Sequence, residues 1–131
     1  MSEKAILCVD DEKIVLDSLK SQIKKHFGGR YLYEFAQSVE EAWEVIEELS
    51  EDEVEILIIV SDWLMPDIKG DEFLIKVHQK YPKMVKVMLT GQADQLAIER
   101  VQKQANLYRY LSKPWTEDEL IETIQSGMES L

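Results

Sequence analysis

Short apolar runs alternate along this chain with longer amphipathic patterns. The short runs have the length of strands, and the segments between them repeat apolar residues at steps of three and four, which is typical of helices. The predicted strands are Ala5–Val9, Tyr31–Ala36, Ile56–Ser61, Lys86–Leu89 and Leu107–Leu111. The predicted helices lie near Lys13–His26, Val39–Leu49, Asp71–Tyr81, Gln95–Gln104 and Thr116–Met128.

Several predicted boundaries carry recognisable local signals. Ser38 and Thr116 are each followed three residues later by Glu, the capping-box spacing that satisfies free amides at a helix start. Gly28-Gly29 predicts the end of the first helix. Pro82 disfavours helical angles in the residue before it, so the third helix is expected to end near Tyr81.

The regular alternation of strands and helices predicts an α/β fold with a parallel sheet. Right-handed crossovers between five strands favour a flavodoxin-like, doubly wound (βα)5 arrangement with strand order 2-1-3-4-5. A chain of 131 residues is expected to form one domain, residues 1–131. In such sheets, ligands bind at the carboxyl ends of the strands, where the strand order reverses.

Charge and composition limit the classes of partner that this chain is expected to bind. The formal net charge is −11, which repels nucleic acid and anionic membranes, so no direct contact with either is expected. The start of the chain lacks a signal-peptide core and no apolar run approaches the roughly 20 residues of a membrane-spanning helix. A cytoplasmic protein is therefore expected. Cys8 lies in an apolar run and is interpreted as a core residue.

Polar residues that can do chemistry follow four of the predicted strands. Asp10 and Asp11 follow the first, Asp62 the third, Thr90 the fourth and Lys113 the fifth. Carboxylates gathered at one edge repel each other unless a cation neutralises them. A hard divalent ion such as Mg²⁺, or Mn²⁺, is the expected cofactor, with Asp11 and Asp62 as direct ligands and Asp10 holding a metal-bound water.

This set of groups also fits phosphoryl transfer. One carboxylate can act as a nucleophile toward phosphorus and form an aspartyl phosphate, and Asp62 is the candidate. The Lys113 ammonium and the Thr90 hydroxyl can bind phosphoryl oxygens. Taken singly, Asp10-Asp11 and Asp62 also suit a helix cap or a turn, but that interpretation does not explain why all four strand ends carry such groups.

These motifs resemble the receiver domains of two-component response regulators, in particular the chemotaxis-regulator type. The resemblance covers nearly the whole chain, and its four ordered motifs are Ile6 to Glu12, Ser61 to Gly70, Leu89 to Gly91 and Lys113-Pro114. It implies a signalling switch rather than an enzyme. Asp62 would take a phosphoryl group from a phosphohistidine of a sensor histidine kinase or phosphotransfer protein.

The resemblance implies further site features. The backbone carbonyl of Leu64 would be a metal ligand, and the Lys113-Pro114 peptide bond would be cis. Tyr110 occupies the aromatic switch position, so that phosphorylation would change the face built from helix 4, strand 5 and helix 5. Homodimerisation through that face is a further expectation. Leu64 and Gln92 occupy positions that influence the lifetime of the phosphoryl group.

Other functions remain open at this stage. An aspartate-nucleophile phosphatase usually has a second acid two residues after the nucleophile, where this chain has Leu64. A flavodoxin-type cofactor site would need small and hydroxyl residues after the first strand, where this chain has carboxylates. A receiver-like docking module that takes no phosphate is a third alternative. The sequence does not distinguish a stand-alone receiver from one excised from a longer response regulator.

Overall fold

A computed structural model describes residues 3–65, 69–91 and 95–131 of the chain. It confirms the alternation of strands and helices. The strands are β1 Lys4–Val9, β2 Leu32–Ala36, β3 Glu55–Asp62, β4 Val85–Thr90 and β5 Arg109–Ser112. The helices are α1 Lys13–Phe27, α2 Val39–Glu51, α3 Gly70–Lys80, α4 Gln95–Gln104 and α5 Glu117–Glu129, with a short 3₁₀ turn at Gly28–Arg30.

The strands form one parallel sheet in the order β2-β1-β3-β4-β5. This is the predicted doubly wound, flavodoxin-like order. The chain first moves outward from β1 to β2 and then returns past β1 to β3, so the strand order reverses beside β1 and β3. The carboxyl ends of β1, β3, β4 and β5 therefore meet at one edge of the sheet.

Helices cover both faces of the sheet. On one face, α1 and α5 pack over alternate residues of the strands, among them Ile6, Cys8 and Val60. On the other face, α2, α3 and α4 pack over residues of the opposite parity, such as Leu7 and Ile59. Burial on both faces explains why the central strands are continuously apolar. In the described parts of the chain, no helix is both long and apolar enough to cross a bilayer.

Local signals in the sequence account for several helix ends. The hydroxyls of Ser38 and Thr116 accept hydrogen bonds from the amides of Glu41 and Glu119, each at 3.1 Å. These bonds satisfy amides that the helix itself leaves free. Helix α3 ends at Lys80, close to the position expected from Pro82.

Three local predictions were wrong in detail. Strand β5 begins at Arg109 and not at Leu107, because Asn106 adopts a positive φ of 51° and the Leu107 amide bonds to the Val101 carbonyl at the end of α4. Strand β2 begins at Leu32, because the 3₁₀ turn extends the connection after α1. His78 lies in the third helical pattern with no histidine four residues away, which favours a surface position. It is instead half-buried, and no hydrogen-bond partner for its buried Nδ1 atom occurs among the described residues.

Cys8 is a core residue, as predicted. Its side chain is fully buried in β1, where it pairs in register with Phe35 of β2 and Val60 of β3. Burial raises the pKa of its thiol to about 12. The thiol is therefore protonated and inaccessible in the folded protein.

Candidate functional site

Three carboxylates meet at the carboxyl ends of β1 and β3. Asp10 and Asp11 directly follow β1, and Asp62 is the last residue of β3. Oxygen atoms of the three side chains lie within 4.8 Å of one another. Asp10 and Asp62 are buried, whereas Asp11 is exposed. The position of these residues in the sheet, predicted from the alternation of strands and helices, is what brings them together.

Backbone contacts fix the turn after β1. The Asp10 amide donates to the Ala36 carbonyl at 3.0 Å, and Asp10 Oδ1 accepts a hydrogen bond from the Glu12 amide at 2.9 Å. The second carboxylate oxygen, Oδ2, faces the ammonium group of Lys113. Asp10 is thus held by Ala36 at the end of β2, by Glu12 of its own loop and by Lys113, which follows β5.

Lys113 brings a positive charge into this group of acids. Its Nζ atom lies 2.9 Å from Asp10 Oδ2, 3.2 Å from Asp62 Oδ1 and 3.8 Å from Glu12 Oε1. Its backbone amide donates to the Thr90 carbonyl at 2.7 Å. The Lys113-Pro114 peptide bond is cis, as the resemblance implied.

Burial shifts the pKa values of the charged groups at this site, and the neighbouring charges modify these shifts. Burial, with the neighbouring charge of Asp10, raises the pKa of Asp62 to about 6, although Lys113 opposes this effect. Burial also raises the pKa of Asp10. Burial by itself lowers the pKa of Lys113, but its hydrogen bonds and ion pairs with Asp10 and Asp62 outweigh that effect and the pKa is raised.

The charges and donor atoms of the site suit a divalent cation. The carboxylates of Asp10, Asp11 and Asp62 and the one ammonium of Lys113 sum to a formal charge of −2. All three acids offer oxygen, the ligand that Mg²⁺ and Mn²⁺ prefer. One lysine cannot neutralise three acids, so the residues present fit the predicted metal.

Thr90 supplies a hydroxyl group without a partner. It is the last residue of β4, its side chain is buried, and no hydrogen-bond partner for its Oγ1 atom occurs among the described residues. Buried hydroxyls are normally hydrogen-bonded. A ligand bound at this edge of the sheet would supply the partner for the Thr90 hydroxyl. Thr90 lies on the strand next to that of Asp62.

The turn after Asp62 is closed by backbone bonds. The Trp63 amide donates to the Leu89 carbonyl at 2.9 Å, and the Gly70 amide donates to the Trp63 carbonyl at 2.6 Å. Between these bonds, the side chain of Leu64 is 62% exposed beside the acids. Pro66 to Ile68 of the predicted motif and Gln92, predicted to tune the phosphoryl lifetime, lie outside the described residues.

Tyr110 is placed on the surface rather than among the acids. It lies in β5, three residues before Lys113, and its side chain is 41% exposed. This position leaves the ring free to contact a partner, while its predicted part in switching stays a prediction. The sequence did not single out Glu12, although the run Asp10-Asp11-Glu12 was a signal that a further carboxylate lies near Lys113.

Comparison with known proteins gives one consistent answer. Residues 6–125 match the family model of the response regulator receiver domain. The chain belongs to the response regulator receiver family. The match covers β1 from Ile6 onward, the other four strands in full and most of α5, and it includes every residue placed at the site above.

Individual receiver proteins agree with this assignment. The chain is 30% identical to the hydrogenase transcriptional regulatory protein HoxA of Cupriavidus necator, over 99% of this chain and 26% of that protein. It is similar to the CheY-like receiver domain of Methanospirillum hungatei, with 32% identity, a TM-score of 0.85 and coverage of 98% and 96% of the two chains. It is also similar to the beryllofluoride-activated NtrC4 receiver domain dimer, with 27% identity, a TM-score of 0.83 and coverage of 96% and 97%.

This receiver domain spans about a quarter of the length of the HoxA relatives that it matches. Its similarity to the two solved receiver structures covers nearly the full length of each. The comparisons thus define a receiver domain.

Proposed function

We propose that this receiver domain is a phosphorylation switch and that Asp62 is its phosphoryl acceptor. One observation carries the proposal: the Asp62 carboxylate lies 3.2 Å from the Lys113 ammonium, within a group of three acids. Thr90, on the neighbouring strand, adds a buried hydroxyl that has no hydrogen-bond partner among the described residues. The carboxylate is a nucleophile, and the other groups suit the charged oxygens of a phosphoryl group.

The donor in this proposal is a phosphohistidine of a sensor histidine kinase or phosphotransfer protein. A carboxylate oxygen of Asp62 forms a bond to phosphorus while the phosphorus–nitrogen bond of the donor breaks. The departing imidazole nitrogen keeps the bonding electrons and takes a proton, and Asp62 becomes an aspartyl phosphate. Lys113 then pairs with phosphoryl oxygens in place of a free carboxylate, and the Thr90 hydroxyl donates to another.

A divalent cation, Mg²⁺ or Mn²⁺, completes the proposed site. Asp11, Asp62 and the Leu64 carbonyl would hold it directly, and Asp10 through a water molecule. When bound, the ion neutralises negative charge on the acids and on the phosphoryl oxygens. Asp10 also keeps Lys113 in place through its 2.9 Å contact, so its roles toward the ion and toward the lysine are linked.

The proposed output is a change of the face formed by α4, β5 and α5. A phosphoryl group adds roughly −1.5 to −2 charge at pH 7. Movement of Thr90 toward this charge would alter the start of α4 and the environment of Tyr110. The similarity to the NtrC4 receiver domain dimer supports homodimerisation as one output, and we propose this face as the place where the two copies meet.

We further propose that the protein acts in the cytoplasm and turns over no external substrate. The position two residues after Asp62 is Leu64, which cannot protonate a leaving group as a phosphatase requires. Its chemistry is then limited to gaining and losing its own phosphoryl group. A receiver-like docking module without phosphorylation is the competing function, and the same experiment distinguishes the two.

The test is intact mass after incubation with acetyl phosphate and Mg²⁺. We expect one phosphoryl increment that survives acid and is lost in base. It should be absent in Asp62→Asn and after chelation of the metal, and present in the control Asp17→Asn, which changes an exposed acid of α1. An increment in Asp62→Asn would place the acceptor elsewhere. The absence of an increment from every sample would favour the docking module.

A further inference from the structure

The loop that carries Lys113 is attached to helix α1. The indole N–H of Trp115, two residues after Lys113, donates to the side-chain carbonyl of Gln22 at 2.8 Å. Trp115 is half-buried and packs against the cluster formed by α1, α5 and the sheet, which includes Leu19 and Ile23 of α1. The hydrogen bond therefore joins two segments that are 93 positions apart in the sequence.

Other contacts fix the two ends of this loop but not its middle. At the start, the Lys113 amide bonds to the Thr90 carbonyl at 2.7 Å. At the end, Thr116 caps α5 through the Glu119 amide. An ion pair between Lys25 and Glu117, at 3.4 Å, also reaches α1, but both side chains are exposed and such pairs contribute little. Among the residues that the structure describes, the Trp115–Gln22 bond is the side-chain hydrogen bond that holds the middle of the loop.

Helix α1 thereby connects the acids that follow β1 with the loop that carries Lys113. It begins at Lys13, directly after the acids that follow β1, and its Gln22, five residues before the end of the helix, accepts the Trp115 bond. Lys113 Nζ lies 2.9 Å from Asp10 and 3.2 Å from Asp62. Because Lys113 is only two residues before Trp115, we expect these distances to depend on where the loop is held relative to this helix. A shift of the loop would move the ammonium away from the acids.

We propose that Gln22 is a positioning residue for phosphorylation, acting through Trp115 to hold Lys113 beside Asp62. The inference rests on the proposed function, in which Lys113 pairs with the incoming phosphoryl group. Gln22 itself lies far along α1 from the acids and touches none of the reacting atoms. Its contribution is geometric, because charge stabilisation falls quickly when a group is misplaced.

The experiment compares four substitutions in the full chain. Gln22→Leu removes the acceptor, Trp115→Phe removes the donor, and the double variant removes both. Gln22→Glu keeps an acceptor oxygen and is the conservative rescue. Ser21→Ala, an exposed change on the same helix, is the matched control. The two readouts are the rate of phosphorylation by acetyl phosphate with Mg²⁺ and, by NMR, the hydrogen exchange of the Lys113 amide.

We expect Gln22→Leu and Trp115→Phe each to slow phosphorylation by about fivefold and to speed exchange of the Lys113 amide. The double variant should be no slower than the slower single variant, because both remove the same bond. Gln22→Glu and Ser21→Ala should remain close to the wild type. A purely structural role would instead lower the unfolding midpoint and leave the phosphorylation rate of the folded variants unchanged.

Each outcome decides a separate point. Unchanged phosphorylation and unchanged amide exchange in both single variants would overturn the positioning role. If the wild type takes no phosphoryl group, the proposed function fails, and amide exchange at Lys113 still decides whether Gln22 positions the loop. If Gln22→Leu does not fold, Trp115→Phe still tests the bond, because it keeps an aromatic ring at this position and removes the N–H donor together with part of the indole.

Discussion

At the scale of single residues, Lys86 is a buried cation on β4 away from the acids. Its side chain is 1% exposed, and its ammonium group donates to the Met84 carbonyl at 2.6 Å. Burial lowers its pKa to about 8, from an ordinary value of 10.5. Between these two values the unfolded chain binds more protons than the folded one, so Lys86 makes the protein more stable as pH rises.

Replacing Lys86 tests this linkage. We expect the stability of Lys86→Met relative to the wild type to fall by about 1–3 kcal/mol as pH rises from 7 to 10, because only the wild type gains from deprotonation of a buried amine. Chemical unfolding at several pH values measures the difference. The control is Lys83→Met, which changes an exposed lysine. Parallel stability curves for Lys86→Met and the wild type would contradict the prediction.

Asp62 gives a second pH dependence of a different origin. Its pKa is raised from 3.8 to about 6 by burial and by Asp10, so folding favours the protonated form. This contribution to stability is complete below pH 4 and is lost as pH rises through 6. In chelator, we therefore expect Asp62→Asn to be more stable than the wild type by about 1–3 kcal/mol at pH 7.5.

The two proteins should converge when the carboxyl group becomes neutral. As pH falls from 7.5 to 4, the stability difference between Asp62→Asn and the wild type should shrink, because a protonated Asp and an Asn carry the same charge. Thermal unfolding across this range measures it. A difference that stays constant with pH would mean that the charge of Asp62 costs the fold nothing. Added Mg²⁺ should reduce the difference at pH 7.5 by stabilising the wild type alone.

At the scale of elements, the junction of β3 and α3 requires a glycine. A Cβ atom at Gly70 would lie 2.0 Å from the Asp62 carbonyl oxygen and 2.8 Å from the Trp63 Cα. Both of these are backbone atoms, so no side-chain rotation relieves the clash. The first residue of α3 is thereby packed directly against the backbone of Asp62, the proposed phosphoryl acceptor.

Gly70→Ala should damage both stability and function. We expect a loss of about 2 kcal/mol or more in the free energy of unfolding, because the backbone must shift to admit one methyl group. Phosphorylation should slow as well, since the shift moves Asp62. Denaturant unfolding and the intact-mass assay measure the two effects. Gly29→Ala is the control, because a Cβ atom there meets nothing within 4 Å; equal stability of the two variants would disprove the clash.

The elements also show what sequence could and could not predict. Capping at Ser38 and Thr116 was predictable, because the bonds join residues three apart. The start of β5 was not, because Leu107 is as apolar as a strand residue but its amide completes the end of α4. The Trp115–Gln22 bond was equally hidden, since it depends on how two distant segments pack.

At the scale of the whole molecule, the site was predictable from the order of the strands. Parallel strands place their carboxyl ends at one edge, so Asp10, Asp62, Thr90 and Lys113 had to lie close together once the order was fixed. Their distances and pKa values were not predictable, because these depend on burial and on which oxygen faces Lys113. The fold thus determines which residues meet, and side-chain packing determines how they interact.

The burial of Cys8 makes the rate of its alkylation a measure of how often the folded protein opens locally. Alkylating reagents attack the thiolate, and this sulfur is protonated and shielded in the central layer of the sheet. A reagent reaches it only after α1 and α5 move away from the face of the sheet on which Cys8 lies. Since the chain has one cysteine, the rate at which a single alkyl group is added in native buffer reports how often this face opens. The same measurement compares the opening rates of variants of this receiver without denaturant.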